Sequence, residues 1–188
     1  MQKMIAVLVV ILAVVGCKSV HVSLPIPVRI SGRVTIEGSS PGFSRTVLIP
    51  AQLLSEGISE HTEQGEDVVV DLESVVLVVS RNNCAENTVL ENGVVQIGLG
   101  IQVDSLASVE DLNLTEVLGD TLRARLYSAG VNTLNTFARN TLAGGNDILV
   151  VVVDGTANPA PPPDIDFDID VVFTFAVVVV REMTSIGP

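Results

Sequence analysis

Apolar and polar residues alternate without a break from Val20 to Ile36. The even positions are Val20, Val22, Leu24, Ile26, Val28, Ile30, Gly32, Val34 and Ile36. Between them lie His21, Ser23, Pro25, Pro27, Arg29, Ser31, Arg33 and Thr35. Period 2 marks a strand with one buried face, because successive side chains point to opposite sides. Pro25 and Pro27 lack the N–H that a ladder needs. The first half is therefore expected to be an edge or a lead-in, with the strand proper starting near Val28. Gly38 to Gly42 reads as a turn cluster and Arg45 to Ile49 as a short strand. Gln52 to Asp67 is polar and acidic, a surface loop with room for a helical turn.

Val68 to Ser80 is rich in valine, and its apolar residues fall on both faces. A run of that kind suits a central strand of a sandwich or of a covered sheet. After a turn region at Asn82–Glu91, alternation resumes at Val95, Ile97, Leu99, Ile101 and Val103. Gly98 and Gly100 on its other face suggest a close backbone approach or a bulge. Ser105 to Asp111 looks like a capped helical turn. Leu118 to Leu126 fits either a helix or a strand. Leu134, Phe137, Ala138 and Leu142 stand at i, i+3, i+4 and i+8, predicting a short amphipathic helix over Asn132–Leu142, stopped by Gly144-Gly145.

Two strands close the chain. Asp147 to Thr156 leads into the stiff segment Ala157–Pro163, and Asp164 to Arg181 follows. Every odd position from Ile165 to Val179 is apolar. The even positions are Asp164, Asp166, Asp168 and Asp170, then Val172, Thr174, Ala176 and Val178. About seven strands separated by turn signals, with one or two short helices between 105 and 145, predict a mainly β protein. The expected fold is an immunoglobulin-like β-sandwich.

The N-terminus carries a different signal. Met1-Gln2-Lys3 is positively charged, Met4 to Val15 is an apolar run of 12 residues, and Gly16-Cys17 follows. This is the architecture of a secretory signal peptide, too short to span a bilayer. Val14-Val15-Gly16-Cys17 resembles the lipobox of bacterial lipoproteins. That resemblance implies cleavage before Cys17, a diacylglycerol on its thiol and usually a further acyl chain on the new amino group. Several chains on one cysteine anchor stably where one chain is marginal. Lys18, rather than an Asp, follows the cysteine, which favours the outer membrane over the inner. The layout from Val68 to Val180 is also similar to a widespread type of small secreted bacterial β-sandwich lipoprotein. On this reading residues 1–16 are the signal peptide, 17–27 the lipidated N-terminus and lead-in, 28–181 the β-sandwich and 182–188 a tail.

Composition narrows the function. The chain has 188 residues, 10 Lys+Arg and 22 Asp+Glu, for a net charge of −12. Without residues 1–16 it keeps 9 basic and 22 acidic residues, a net of −13. So acidic a surface excludes phosphate-backbone binding as a working hypothesis, and no nucleic-acid partner is expected. With aromatics at 3%, the girdles of a membrane β-barrel are missing. If Cys17 carries lipid, Cys84 has no partner within the chain, and the fold must rest on its core.

The aspartates at 164, 166, 168 and 170 are the most pointed chemical feature. On a strand their carboxylates line one face, about 6.5–7 Å apart, with few cationic residues in the chain to offset them. The first expectation is a solvated strand face that resists edge-to-edge pairing. The second is a Ca²⁺ site built from two of these carboxylates and loop carbonyls. The run is not an EF-hand, since Ile169 stands where Gly is needed and Phe175 where Glu is needed. His61 among Glu56, Glu60, Glu63, Glu66 and Asp67 is a weaker metal candidate. There is no Gly-x-Ser-x-Gly, phosphate-binding Gly loop or His-Glu-x-x-His in the sequence. The expected function is a non-enzymatic, lipid-anchored envelope module that meets the membrane through Cys17 and a further envelope protein. The alternative is a calcium-dependent binder or an envelope hydrolase using Asp164–Asp170.

Overall fold

A computed structural model describes residues 19–63, 67–122, 124–158 and 164–184. The leader and Cys17 lie outside the described residues. Most of what is described is strand, in two antiparallel sheets with two helices. The strands are β1 (Ser19–Gly38), β2 (Gly42–Pro50), β3 (Asp67–Asn82), β4 (Val89–Leu99) and β5 (Val103–Asn113), then β6 (Thr121–Leu122), β7 (Arg125–Leu126), β8 (Ile148–Asn158) and β9 (Ile165–Thr184). The helices are α1 (Ala51–Ser59) and α2 (Ser128–Leu142). One sheet has the order β1-β9-β3-β6 and the other β2-β8-β4-β5-β7.

The last strand is the axis of the first sheet. β9 pairs with β1 from Ser19↔Thr184 to Gly38↔Ile165 and with β3 from Asp67↔Val180 to Asn82↔Phe167. Its odd positions from Ile165 to Val179 are all buried, as the alternation predicts. They belong to one apolar core with Val28, Ile30, Val34 and Ile36 of β1 and Ile49, Ile97, Val151 and Val153 of the second sheet. Phe43 of β2 meets Phe167 of β9 edge to face, with ring centroids 5.7 Å apart. That contact joins the two sheets where β1 turns into β2.

β1 is longer than expected. Its pairing begins at Ser19 rather than near Val28. Pro25 and Pro27 are accommodated because β1 is an edge, and both are exposed.

β3 lies between β9 and β6, internal to its sheet as expected. It borders β9 along its whole length, but on its other side the described pairing is short: Leu77 and Val78 pair with β6, and Val79 bridges to Leu118. The strand is apolar on both faces because its phase changes. A register shift between Leu72 and Ser74 leaves Glu73 as an extra residue. Val68, Val70 and Leu72 therefore face inward before it, and Val75, Leu77 and Val79 after it. A β-bulge swaps the faces of all that follows.

Three local readings also change. Gln52–Asp67 is not all loop, since α1 occupies its start. Ala51, Leu54 and Ile58 are buried at i, i+3 and i+7, a stripe that begins one residue before the polar stretch. Ser105–Asp111 is not a helical turn but part of β5, hydrogen-bonded to β4. The alternating run read through Val103 breaks at Gly100, whose φ is +94°. A side chain at Gly98 would collide with the carbonyl of Gln102, which is the close approach the glycines suggested. Leu118–Leu126 resolves as strand, in the short pieces β6 and β7. α2 forms where the apolar stripe predicts, with Leu134, Phe137 and Ala138 fully buried. It bridges the two sheets: Asn135 Oδ1 accepts from the Leu72 N–H at 2.9 Å, and Gly130 lies against the backbone of Leu106.

Candidate functional site

The outward side of β9 carries the aspartates singled out in the sequence. Asp164 is exposed and precedes the strand. Asp166, Asp168 and Asp170 follow on one face, set between β1 and β3. The pairing places Glu37 opposite Asp166, Thr35 opposite Asp168 and Arg33 opposite Asp170. On the other flank Arg81 stands opposite Asp168.

That last position depends on a second bulge. Pairing runs Val79↔Ile169 and then Arg81↔Asp168, so Ser80 is the extra residue. Without it Arg81 would lie beside Phe167, on the core face. The bulge turns a residue bound for the core into the cation of the acidic row.

Arg81 holds Asp168 with two hydrogen bonds of 2.9 Å, from Nε and Nη2. Its Nη1 lies 2.6 Å from Asp166 Oδ1. Arg33 holds Asp170 in the same forked way, at 2.7 and 3.1 Å. Asn83 donates its side-chain amide to Asp166 Oδ2 at 2.8 Å, and its backbone N–H to the Asp166 carbonyl at the same distance. Planar guanidinium forks match carboxylates in this two-bond geometry.

This corrects the expected solvated face in two respects. Asp168 is only 6% exposed, and β9 is a central strand with no edge for its charges to guard. The repulsion expected of the row is also offset, because two of the few arginines are placed on it. The Arg81 hydrogen bonds hold the Asp168 carboxyl below its ordinary range, and the Arg33 hydrogen bonds do the same for Asp170. The guanidinium of Arg81 is pushed further from deprotonation, chiefly by its hydrogen bond to Asp168.

Cys84 closes the cluster on the β3 side. Its Sγ is 3.3 Å from the Asp166 N–H and 3.5 Å from the Asp166 carbonyl oxygen. The thiol is free, and burial raises its pKa, which favours the unreactive protonated form.

The carboxylates of Asp166, Asp168 and Asp170 are thus each engaged by arginine or asparagine side chains. Among the described residues no three His, Cys, Asp or Glu side chains converge as metal ligands. Glu56 lies in α1, Glu60 is its C-cap and His61 follows, while Glu66 lies outside the described residues. A shallow pocket of about 230 Å³ opens beside the acidic row, lined by Ile36, Glu37, Phe43, Arg45 and Ile165 with the glycines and serines of the β1–β2 turn. Arg45 there donates to the Glu37 carbonyl. No helix among the described residues is long and apolar enough to cross a membrane.

The sequence flagged Asp166, Asp168 and Asp170 but not Arg33, Arg81 or Asn83. Arg33 was legible in principle as the polar phase of an alternating strand. Arg81 was not, because its face depends on the bulge at Ser80. Compared with protein-family models, curated proteins and solved structures, the chain matches none.

Proposed function

We propose that the chain is a lipid-anchored protein of the bacterial cell envelope, acting as a non-enzymatic interaction or structural module. The observation that carries this reading is the leader: a positive start, 12 apolar residues and then Gly16-Cys17. The lipobox resemblance makes Cys17 the acylated residue, and Lys18 favours the outer membrane. We read the two sheets around one core as a β-sandwich of the immunoglobulin-like kind, a stable body for an anchored module to display. The strand count and turn spacing support that class.

The module reading is preferred to calcium binding or hydrolysis because of the ion pairs. A Ca²⁺ ion at Asp166–Asp170 would have to displace Arg81 and Arg33 from the oxygens it needs. A general acid or base would need a carboxyl held near neutral pH, and Asp168 and Asp170 are held low.

The test is fractionation of the native protein. The wild type is expected in the detergent phase, and Cys17→Ser is expected in the aqueous phase or retained as unprocessed precursor. A Cys17→Ser protein that is still cleaved and still membrane-held would refute the anchor. A melting temperature raised by Ca²⁺ and lowered by a chelator would shift the choice to the calcium-dependent binder.

A further inference from the structure

The first strand begins very close to the residue read as the anchor. Cys17 is followed by Lys18, and at Ser19 the chain is already paired, with Thr184 of β9. From there β1 runs to Gly38 in one continuous ladder. β3 joins from Asp67, opposite Val180, so the ribbon becomes three-stranded within a few residues. A strand rises about 3.3 Å per residue, so Ser19 and Glu37 are roughly 60 Å apart along the ribbon. At the Ser19 end, the outward row Pro25–Val178–Val69 crosses three strands, and Val69 is 52% exposed. At the other end stand Glu37, Asp166 and Arg81.

We propose that the Ser19/Thr184 end of this sheet is the membrane-facing surface, with the lipid headgroup layer as its partner. The acid–arginine end then stands away from the bilayer. The proposal rests on the lipid-anchor reading and adds an orientation to it. A tether of Gly and Ser would let the body turn freely. Here one residue separates the acylated cysteine from a hydrogen-bonded ribbon, so the anchor's position is passed into the sheet. The row at Pro25, Val178 and Val69 lies within about 20 Å of Ser19 along the strand. The acidic row and the pocket at the β1–β2 turn face outward, where a protein partner would find them.

Energy transfer to a bilayer acceptor tests this on the full lipidated chain. Two versions carry a donor label, at Val69→Cys or at Ser39→Cys, each with Cys84→Ser. They are placed in phosphatidylethanolamine–phosphatidylglycerol vesicles holding a headgroup acceptor. The donor at position 69 is expected to be quenched severalfold more than the donor at 39. Inserting a flexible Gly-Ser segment between Lys18 and Ser19 is expected to erase most of that contrast. Equal quenching in the parent would overturn the orientation, and a contrast that survives the insertion would overturn its origin in the short link to the anchor. Flotation with the vesicles separates the two readings. A chain that floats but shows no contrast refutes the orientation alone, whereas one that does not float refutes the anchor and the orientation together.

Discussion

From Asp166 to Asp170 the outward positions of β9 are carboxylates gripped by arginine. From Val172 to Val178 they are Val, Thr, Ala and Val, flanked by Ser31 and Val76, Arg29 and Ser74, Pro27 and Asp71, Pro25 and Val69. The inward positions do not change, and Phe167, Phe173 and Phe175 are all fully buried. One strand thus has a single inner face and two outer ones. The inner face holds the sheets together along its length, and the outer face is specified by charge in one half and by pleat packing in the other. Electrostatic specification needs each partner in place, because a carboxylate as buried as Asp168 is costly without a cation. Packing on a half-exposed pleat tolerates exchange.

The largest effect should come from the shared face, and should be alike in both halves. Phe167→Ala and Phe175→Ala are each expected to cost about 3–5 kcal/mol, read from chemical denaturation. A small cost at only one of them would break the comparison.

Next come the outer faces, where the halves should diverge. Asp168→Asn removes the charge from two forked hydrogen bonds and should cost about 1–3 kcal/mol. Val172→Thr, at the matching position in the other half, should cost under about 1 kcal/mol. Equal costs would mean that the ion pairs contribute no more than ordinary surface.

Acid should act on one half only. Asp168 and Asp170 have folded-state pKa values below their ordinary ones. Their contribution is therefore present above the unfolded value, about 3.9. It is lost as pH falls from there through the folded values. Thermal melts of the wild type should drop steeply below about pH 4. Asp168→Asn combined with Asp170→Asn should flatten that drop, and an unchanged slope would locate the acid sensitivity elsewhere.

The smallest effect concerns Cys84, on the acidic side. Its thiol is free and half-buried against Asp166. Reducing agent should leave the melting temperature of the domain unchanged. A fall of several degrees would show that the thiol is paired between chains.

These contrasts also show what the residues disclose. The inner face of β9 was legible because eight alternate positions carry one chemistry, and nothing in the strand interrupts the count. The stripe of α2 was legible for the same reason at period 3.6. β3 was legible as a central strand but its phase was not, because bulges at Glu73 and Ser80 change it and a bulge has no fixed residue signature. Ser105–Asp111 was misread because its serines and acids mimic a helix cap locally. Its strand state comes from β4, and only pairing reveals it. The acidic row was legible as a row. Its neutralisation was not, since Arg33 and Arg81 lie far away in sequence and reach it only through register. The small pieces β6 and β7 carry too few residues to show any period.

The Ser19↔Thr184 pairing also has a consequence for the order in which the molecule can assemble. The first and last strands are neighbours, and the last is the axis that both β1 and β3 need. The sheet β1-β9-β3-β6 therefore cannot form until β9 has been synthesised and, on the envelope reading, threaded through the translocation channel. β1 and β3 must wait, unpaired, for the twenty residues of β9. Contacts this distant in sequence place folding on the order of milliseconds to seconds rather than microseconds. During that wait the valine-rich run of β3 is open to other chains. β1 is better protected, because Pro25 and Pro27 deny a stranger two of the hydrogen bonds it would need. The two prolines that shorten the strand on paper guard it until β9 arrives.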